Sequence, residues 1–123
     1  MSKPLADMVI LLIEDEFLVA AMIADALEDA GARVIGPAAT LDAAMRLAAE
    51  ENFHVAVLDW NLDGESSVDV ARTLARRELP CVVSTGYGGT DEEFAHFPVI
   101  AKPYDPLDLI HLLQMATGRR PAD

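Results

Sequence analysis

The side chains best suited to chemistry in this 123-residue sequence stand directly after short apolar runs. Asp59 ends the run "HVAVLD", which raises the question of why an apolar strand should close on a charge. A buried carboxylate is unfavourable unless a cation or hydrogen bonds compensate it. Four further residues occupy equivalent places at the ends of apolar runs: Glu14, Asp15, Thr85 and Lys102. We therefore treat these five residues as one candidate site.

The types of these residues fit phosphoryl transfer. Glu14, Asp15 and Asp59 would repel one another at one place unless a cation neutralised them. Mg²⁺ suits such a site, because it prefers one or two carboxylates together with phosphate oxygens. Asp59 would then be a carboxylate poised as a nucleophile towards phosphorus. The ammonium of Lys102 and the hydroxyl of Thr85 could both contact the phosphoryl oxygens.

Alternating apolar runs and helical patterns predict the elements that position these residues. Five short runs are typical of strands covered on both faces: "VILLIED", "ARVIG", "HVAVLD", "CVVST" and "VIAK". A helical pattern follows each of them, and the fourth, over "TDEEFAH", is short. This alternation predicts right-handed crossovers, a parallel sheet, and a site at the carboxyl ends of its strands.

Local signals predict which side of the first helix faces the core and which residues bound the helices. The stripe of the first helix that should face the core comprises Val19, Met22, Ile23, Ala26 and Leu27. Residues that could cap or bound helices are Gly31, Thr40, Pro106 and Gly118.

Composition and charge narrow the classes of function. With 52% hydrophobic and 24% charged residues, the sequence predicts one globular domain over residues 1–123. A net charge of −12 argues against a nucleic-acid partner. The single cysteine, Cys81, is predicted to be an inert buried thiol. With no membrane-spanning run and no leader, we expect a cytoplasmic protein without membrane contact.

Four segments that carry these residues resemble the signature segments of response-regulator receiver domains: "LLIEDE", "VAVLDWNLDG", "VVSTGYG" and "IAKPYDP". They occur in the family's order, and the resemblance covers essentially the whole chain. It implies an α/β fold of the flavodoxin-like, doubly wound kind, with a five-stranded parallel sheet in the order 2-1-3-4-5 and five helices.

The resemblance also implies a role for each site residue. Asp59 would be the phosphoacceptor, Thr85 the switch hydroxyl and Lys102 the family's phosphate-contacting lysine. Mg²⁺ would be bound directly by Asp15, with Glu14 assisting through water and the backbone carbonyl of Asn61 as a further ligand. The Lys102-Pro103 bond resembles the family's cis peptide.

The implied function is that of a phosphoacceptor rather than an enzyme, although the domain would assist its own phosphotransfer and autodephosphorylation. The phosphoryl group would come from a histidine kinase or a histidine phosphotransfer protein. Because the sequence ends soon after the last helix, we expect output through a downstream protein target. The domain would act as a monomer or weak dimer, without contacting nucleic acid or membrane.

This chain departs from the family pattern in three places. Val99 stands three residues before Lys102, where many receivers have the tyrosine or phenylalanine that turns inward on phosphorylation. Asp63 stands where many receivers have proline. The stretch "STGY" partly resembles the FATGUY-type motif of one receiver subgroup, in which the loop from Gly86 to Gly89 would move. Tyr87 would either cover the phosphoryl group or be an aromatic residue of a surface loop.

The sequence leaves two alternative functions open. A degenerate receiver would bind partners without phosphorylation, and the missing aromatic residue slightly favours it. A phosphatase of the haloacid dehalogenase type also uses an aspartate after a strand, but it expects a second acid two residues later. Asn61 occupies that position and has no proton to exchange at neutral pH.

Overall fold

The structure is a computed structural model that describes residues 3–86 and 97–119. In chain order its elements are β1 (Val9–Ile13), α1 (Phe17–Asp29), β2 (Arg33–Ala38), α2 (Leu41–Glu50), β3 (Val55–Asp59), β4 (Asn61–Leu62), β5 (Glu65–Ser66), α3 (Val68–Arg76), β6 (Cys81–Thr85), β7 (Val99–Ala101) and α4 (Pro106–Ala116). The predicted short helix over residues 90–96, the glycine-rich loop beyond Gly86 and Tyr87 lie outside the described residues.

Five strands form one parallel sheet in the order β2-β1-β3-β6-β7. Apart from the small β4–β5 hairpin, this is the predicted order 2-1-3-4-5, so the flavodoxin-like fold is confirmed. The part of the chain that the structure describes contains four of the five predicted helices. Strand order reverses between β1 and β3, and in such sheets the crevice for a ligand opens beside that reversal.

The sheet separates two apolar clusters. Alternate side chains of β1 enter opposite sides: Leu11 and Ile13 pack in one cluster, while Ile10 and Leu12 pack in the other. All four are fully buried. Since helices cover both faces, the central strands carry uninterrupted apolar sequence up to the point where they end in acids.

Capping fixes where the helices begin. The Thr40 hydroxyl accepts a hydrogen bond from the backbone N–H of Ala43 at 3.2 Å, which confirms it as the N-cap of α2. Asp105 caps α4 in the same way, ahead of Pro106 in the first turn.

The predicted core stripe of α1 is wrong at one position. Met22 is 65% exposed, whereas Ala20, Ile23 and Leu27 are buried. Adjacent helical residues point about 100° apart, so the face centred on Ile23 turns Met22 towards solvent.

The two ends of the described chain meet at the amino edge of the sheet, away from the carboxyl ends of the strands. The Arg119 guanidinium donates hydrogen bonds to the carbonyl oxygens of Ala6 at 2.7 Å and Pro4 at 3.4 Å. Leu5, between them, is fully buried. None of the helices over residues 3–86 and 97–119 is long and apolar enough to cross a membrane.

Candidate functional site

The five candidate residues lie at the carboxyl edge of the sheet. Glu14 and Asp15 follow β1, and Asp59 is the last residue of the neighbouring strand β3. Thr85 ends β6 and is buried, while Lys102 follows β7 and bonds through its backbone N–H to the Thr85 carbonyl at 2.8 Å. The fold therefore brings these residues to one edge, as the sequence predicted.

Three carboxylates converge at this edge. Glu14 and Asp59 are only 2% and 4% exposed, and Asp15 is half-buried. One oxygen from each lies within 4.8 Å of the others. So much negative charge, largely withdrawn from water, requires compensation.

Lys102 supplies part of that compensation. Its Nζ lies 2.7 Å from Glu14 Oε1 and 3.0 Å from Asp59 Oδ2. Burial alone would lower the pKa of the ammonium, but the hydrogen bonds and charges of the two carboxylates outweigh it and raise the pKa. When all four groups are ionised, two negative charges are left over, which matches one divalent cation.

The ionisation of Asp59 reflects the same balance. Burial, followed by the hydrogen bond and charge of Glu14, raises the pKa of Asp59 to about 7, although Lys102 acts in the opposite direction. A second positive charge beside the carboxylate would lower this pKa. Asp59 is therefore a carboxyl group whose charged form depends on a nearby cation.

Each of the three carboxylates also accepts one backbone hydrogen bond. Glu14 Oε2 accepts from Glu16 N at 3.1 Å, and Asp59 Oδ1 accepts from Asn61 N at 3.3 Å. Asp15 Oδ2 accepts from Asp63 N at 2.7 Å. Burial acts to raise the pKa of Asp15, but hydrogen bonds, with that from Asp63 foremost, lower it overall.

The donor set suits a hard cation. Carboxylate oxygens are the ligands that Mg²⁺ and similar ions prefer. No histidine or cysteine belongs to this cluster in the described parts of the chain, so its chemistry does not favour zinc. Glu14, Asp15 and Asp59 therefore fit Mg²⁺, while the predicted role of the Asn61 carbonyl stays a prediction.

Sequence reasoning missed two residues near the site. The buried Ser67 hydroxyl donates to the backbone carbonyl of Asp59 at 2.6 Å, but a serine in a polar turn gives no signal for such a contact. The hydroxyl of Tyr104 is buried and has no hydrogen-bond partner in the described structure. Burial and the charge of Glu14 raise the pKa of Tyr104 to about 12.

The structure also describes three other features that the sequence predicted or singled out: the Lys102-Pro103 peptide, Cys81 and Val99. The Lys102-Pro103 peptide is cis, as predicted. Cys81 is buried as predicted, and burial raises the pKa of its thiol to about 12. Val99, at the position where the usual aromatic is missing, is 40% exposed. The residues from Asn61 to Ser66 form the β4–β5 hairpin, with Asp63 in its turn.

Comparison with known proteins identifies the family. The sequence profile described as the response regulator receiver domain matches residues 10–114. The chain belongs to this family. It is a receiver domain of two-component signalling, as the four motifs predicted.

Individual relatives agree with this assignment. The phosphate regulon transcriptional regulatory protein PhoB of Pseudomonas aeruginosa is 32% identical over 119 residues, covering 89% of this chain and 52% of that protein. The chain thus spans about half the length of the curated relatives it matches.

Solved structures share the fold. A CheY-like receiver domain protein from Methanospirillum hungatei has a TM-score of 0.83 at 21% identity, over 92% of this chain and 95% of the other. A Burkholderia pseudomallei response regulator, solved with a phosphorylated aspartic acid, a calcium ion and citrate, has a TM-score of 0.77 at 25% identity. That similarity covers 91% of this chain and 69% of the other.

Proposed function

We propose that this receiver accepts a phosphoryl group on Asp59 from a histidine kinase or a histidine phosphotransfer protein, in a reaction that depends on Mg²⁺. The observation that carries the proposal is the contact of the Lys102 ammonium with Asp59 Oδ2 at 3.0 Å, inside a cluster of three acids. The phosphorylated aspartic acid in the Burkholderia pseudomallei relative supports the same chemistry.

In the proposed transfer, a carboxylate oxygen of Asp59 forms a bond to phosphorus while the bond from phosphorus to the donor histidine nitrogen breaks. The departing imidazole keeps the electron pair of that bond and takes up a proton. Asp59 must be ionised to attack. Glu14 and Asp15, with Asp59 itself and the Asn61 carbonyl, would hold the Mg²⁺ ion.

Two side chains would then contact the oxygens of the phosphoryl group on Asp59. The ammonium of Lys102 already contacts the Asp59 carboxylate and would transfer that contact to a phosphoryl oxygen. The Thr85 hydroxyl, at the end of the adjacent strand β6, would donate to another. Bound Mg²⁺ would neutralise further charge on the phosphoryl oxygens. Positioning and charge neutralisation account for most catalysis of phosphoryl transfer.

The output we propose is contact with a downstream protein. Phosphorylation can change such a contact only if the partner binds the two states with different affinity. On this proposal the chain is no enzyme in its own right, although it assists its own phosphorylation. It also assists the later hydrolysis, in which water attacks phosphorus and Asp59 leaves as a carboxylate. It would act as a monomer or weak dimer.

The test is labelling with acetyl phosphate, with and without Mg²⁺, read by intact mass. Beryllofluoride binding, followed by the fluorescence of the neighbouring Trp60, gives a second readout. We expect labelling that requires Mg²⁺ and is absent in Asp59→Asn. Asp25→Asn, which removes an exposed acid of α1, serves as the matched control and should label normally.

A folded protein that takes up neither phosphoryl group nor beryllofluoride would contradict the proposal. That outcome would favour the degenerate receiver that binds partners without phosphorylation. The phosphatase alternative receives no support here, because Asn61 occupies the position of the required second acid and its Oδ1 accepts a hydrogen bond from Gly64 N at 2.7 Å.

A further inference from the structure

A backbone hydrogen bond joins the turn of the β4–β5 hairpin to Asp15 in the acid cluster. The N–H of Asp63 donates to Asp15 Oδ2 at 2.7 Å, although the two residues are 48 positions apart in the chain. The bond is short and has an ionised acceptor, which makes it one of the stronger kinds of hydrogen bond. It connects the loop after β1 with the turn that follows the phosphoacceptor strand β3.

The hairpin fixes the position of this donor. Asn61 pairs with Ser66, and Leu62 pairs with Glu65. The Asn61 side chain closes the turn by accepting from Gly64 N at 2.7 Å. Leu62 anchors the hairpin, because its side chain is 1% exposed and belongs to one of the two core clusters. The Asp63 N–H is thus held by structure on both sides of it.

Only a residue with an N–H can make this contact. Asp63 has a φ of +51°, in the left-handed region. A proline at this position would have no N–H, and its ring would fix φ near about −65°. The proline that many receivers carry here could therefore neither donate to Asp15 nor adopt this backbone. The contact is a property of the hairpin in this chain.

We propose that the Asp63 backbone N–H is a positioning group for the Mg²⁺ site. By occupying Oδ2, it fixes the rotation of the Asp15 carboxylate and leaves Oδ1 for the cation. The inference rests on the proposed Mg²⁺-dependent function and adds the hairpin to the structure that forms the metal site. Loss of such an outer partner typically weakens metal binding by about 10- to 100-fold.

A pair of variants tests it by Mg²⁺ titration followed through Trp60 fluorescence. Asp63→Pro and Asp63→Gly both remove the carboxylate of Asp63, but only the proline removes the N–H, and glycine accepts the positive φ. We expect the dissociation constant for Mg²⁺ to rise at least about 10-fold in Asp63→Pro and to stay near the wild-type value in Asp63→Gly. Equal affinity in all three proteins would overturn the inference while leaving the metal site standing.

Because proline could also disturb the hairpin, a second measurement leaves Asp63 unchanged. In EDTA, the Asp63 amide proton should be shifted downfield and protected from exchange in the wild type, and both properties should be lost in Asp15→Ala. The Gly64 amide, bonded to Asn61, should keep its shift in both proteins. An Asp63 amide proton whose chemical shift and exchange protection are unchanged in Asp15→Ala would overturn the inference. A wild-type protein that does not respond to Mg²⁺ would instead overturn the metal site itself.

Discussion

The Nζ of Lys102 lies closer to Glu14, at 2.7 Å, than to Asp59, the proposed phosphoacceptor, at 3.0 Å. Glu14 follows β1 and Lys102 follows β7, and in the sheet order β3 and β6 stand between these two strands. The ion pair of Lys102 with Glu14 therefore links the ends of two strands, β7 and β1, that are not adjacent in the sheet. A phosphoryl group that attracts Lys102 must compete with Glu14 as well as with Asp59.

Replacing Lys102 by alanine should destabilise the protein in EDTA. Two buried carboxylates would lose the ammonium that bonds them, and removing one partner of a buried ion pair costs about 3 kcal/mol. Urea unfolding at pH 8 measures the loss, and Lys102→Arg, which keeps the charge, should lose less. A loss below about 0.5 kcal/mol, typical of exposed ion pairs, would show that Glu14 and Asp59 do not depend on this cation.

In EDTA, the free energy of unfolding should fall as pH rises, because Asp59 titrates differently in the folded and unfolded states. Its folded-state pKa of about 7 lies above the ordinary value of 3.8. Between these values the folded protein holds a proton that the unfolded chain has released, so the free energy of unfolding decreases with rising pH.

Asp59→Asn removes this titration. Between pH 5 and pH 8, the wild type should therefore lose roughly 2–3 kcal/mol more stability than the variant. Urea unfolding curves at the two pH values measure the difference, with Asp25→Asn as the control for loss of an exposed charge. Parallel pH dependence in wild type and Asp59→Asn would mean that Asp59 is ionised well below neutral pH without a metal.

Cys81 should be unreactive in the folded protein. Its side chain is buried in β6, and burial raises the thiol pKa to about 12, so almost no thiolate forms near neutral pH. A thiol reagent such as Ellman's should label one group in concentrated urea and none within minutes in buffer. Rapid labelling of folded protein would show that β6 opens readily or that the thiol is reached from outside.

Gly36→Ala should destabilise the protein strongly, because a Cβ there would lie 2.6 Å from the carbonyl oxygen of Leu12. Gly36 also has a φ of +102°. Gly118→Ala is the matched control, since Gly118 has a positive φ but nothing within 4 Å of an added Cβ. The free energy of unfolding should fall by about 1 kcal/mol in the control and by clearly more in Gly36→Ala, as measured by urea unfolding. Equal losses of unfolding free energy in Gly36→Ala and Gly118→Ala would mean that backbone conformation accounts for the whole effect.

Much of the fold and of the placement of the site could be predicted from sequence. Uninterrupted apolar runs mark strands buried on both faces, and parallel strands bring their carboxyl ends to one edge. Asp15, Asp59, Thr85 and Lys102 were recognisable because each stands at the point where such a run ends. Their convergence then followed from the topology rather than from any local signal.

The finer geometry could not be predicted in this way. The Asp63 N–H reaches Asp15 from a turn residue with a positive φ, and no periodic pattern in the sequence predicts that conformation. The Ser67 hydroxyl reaches the Asp59 carbonyl because the β4–β5 hairpin returns the chain to the end of β3. The exposure of Met22 depends on how α1 is rotated against the sheet, to which the apolar stripe is a coarse guide.

Arg119 joins the two ends of the described chain through the carbonyl oxygens of Pro4 and Ala6, at the amino edge of the sheet. The acid cluster lies at the opposite edge, where β1 and β3 end. A tag attached at either end of the described chain would therefore hold the domain on a sensor chip with the carboxyl edge of the sheet, where Asp59 lies, towards the solution. Partners added in solution would then have access to the edge of the sheet that carries the acid cluster.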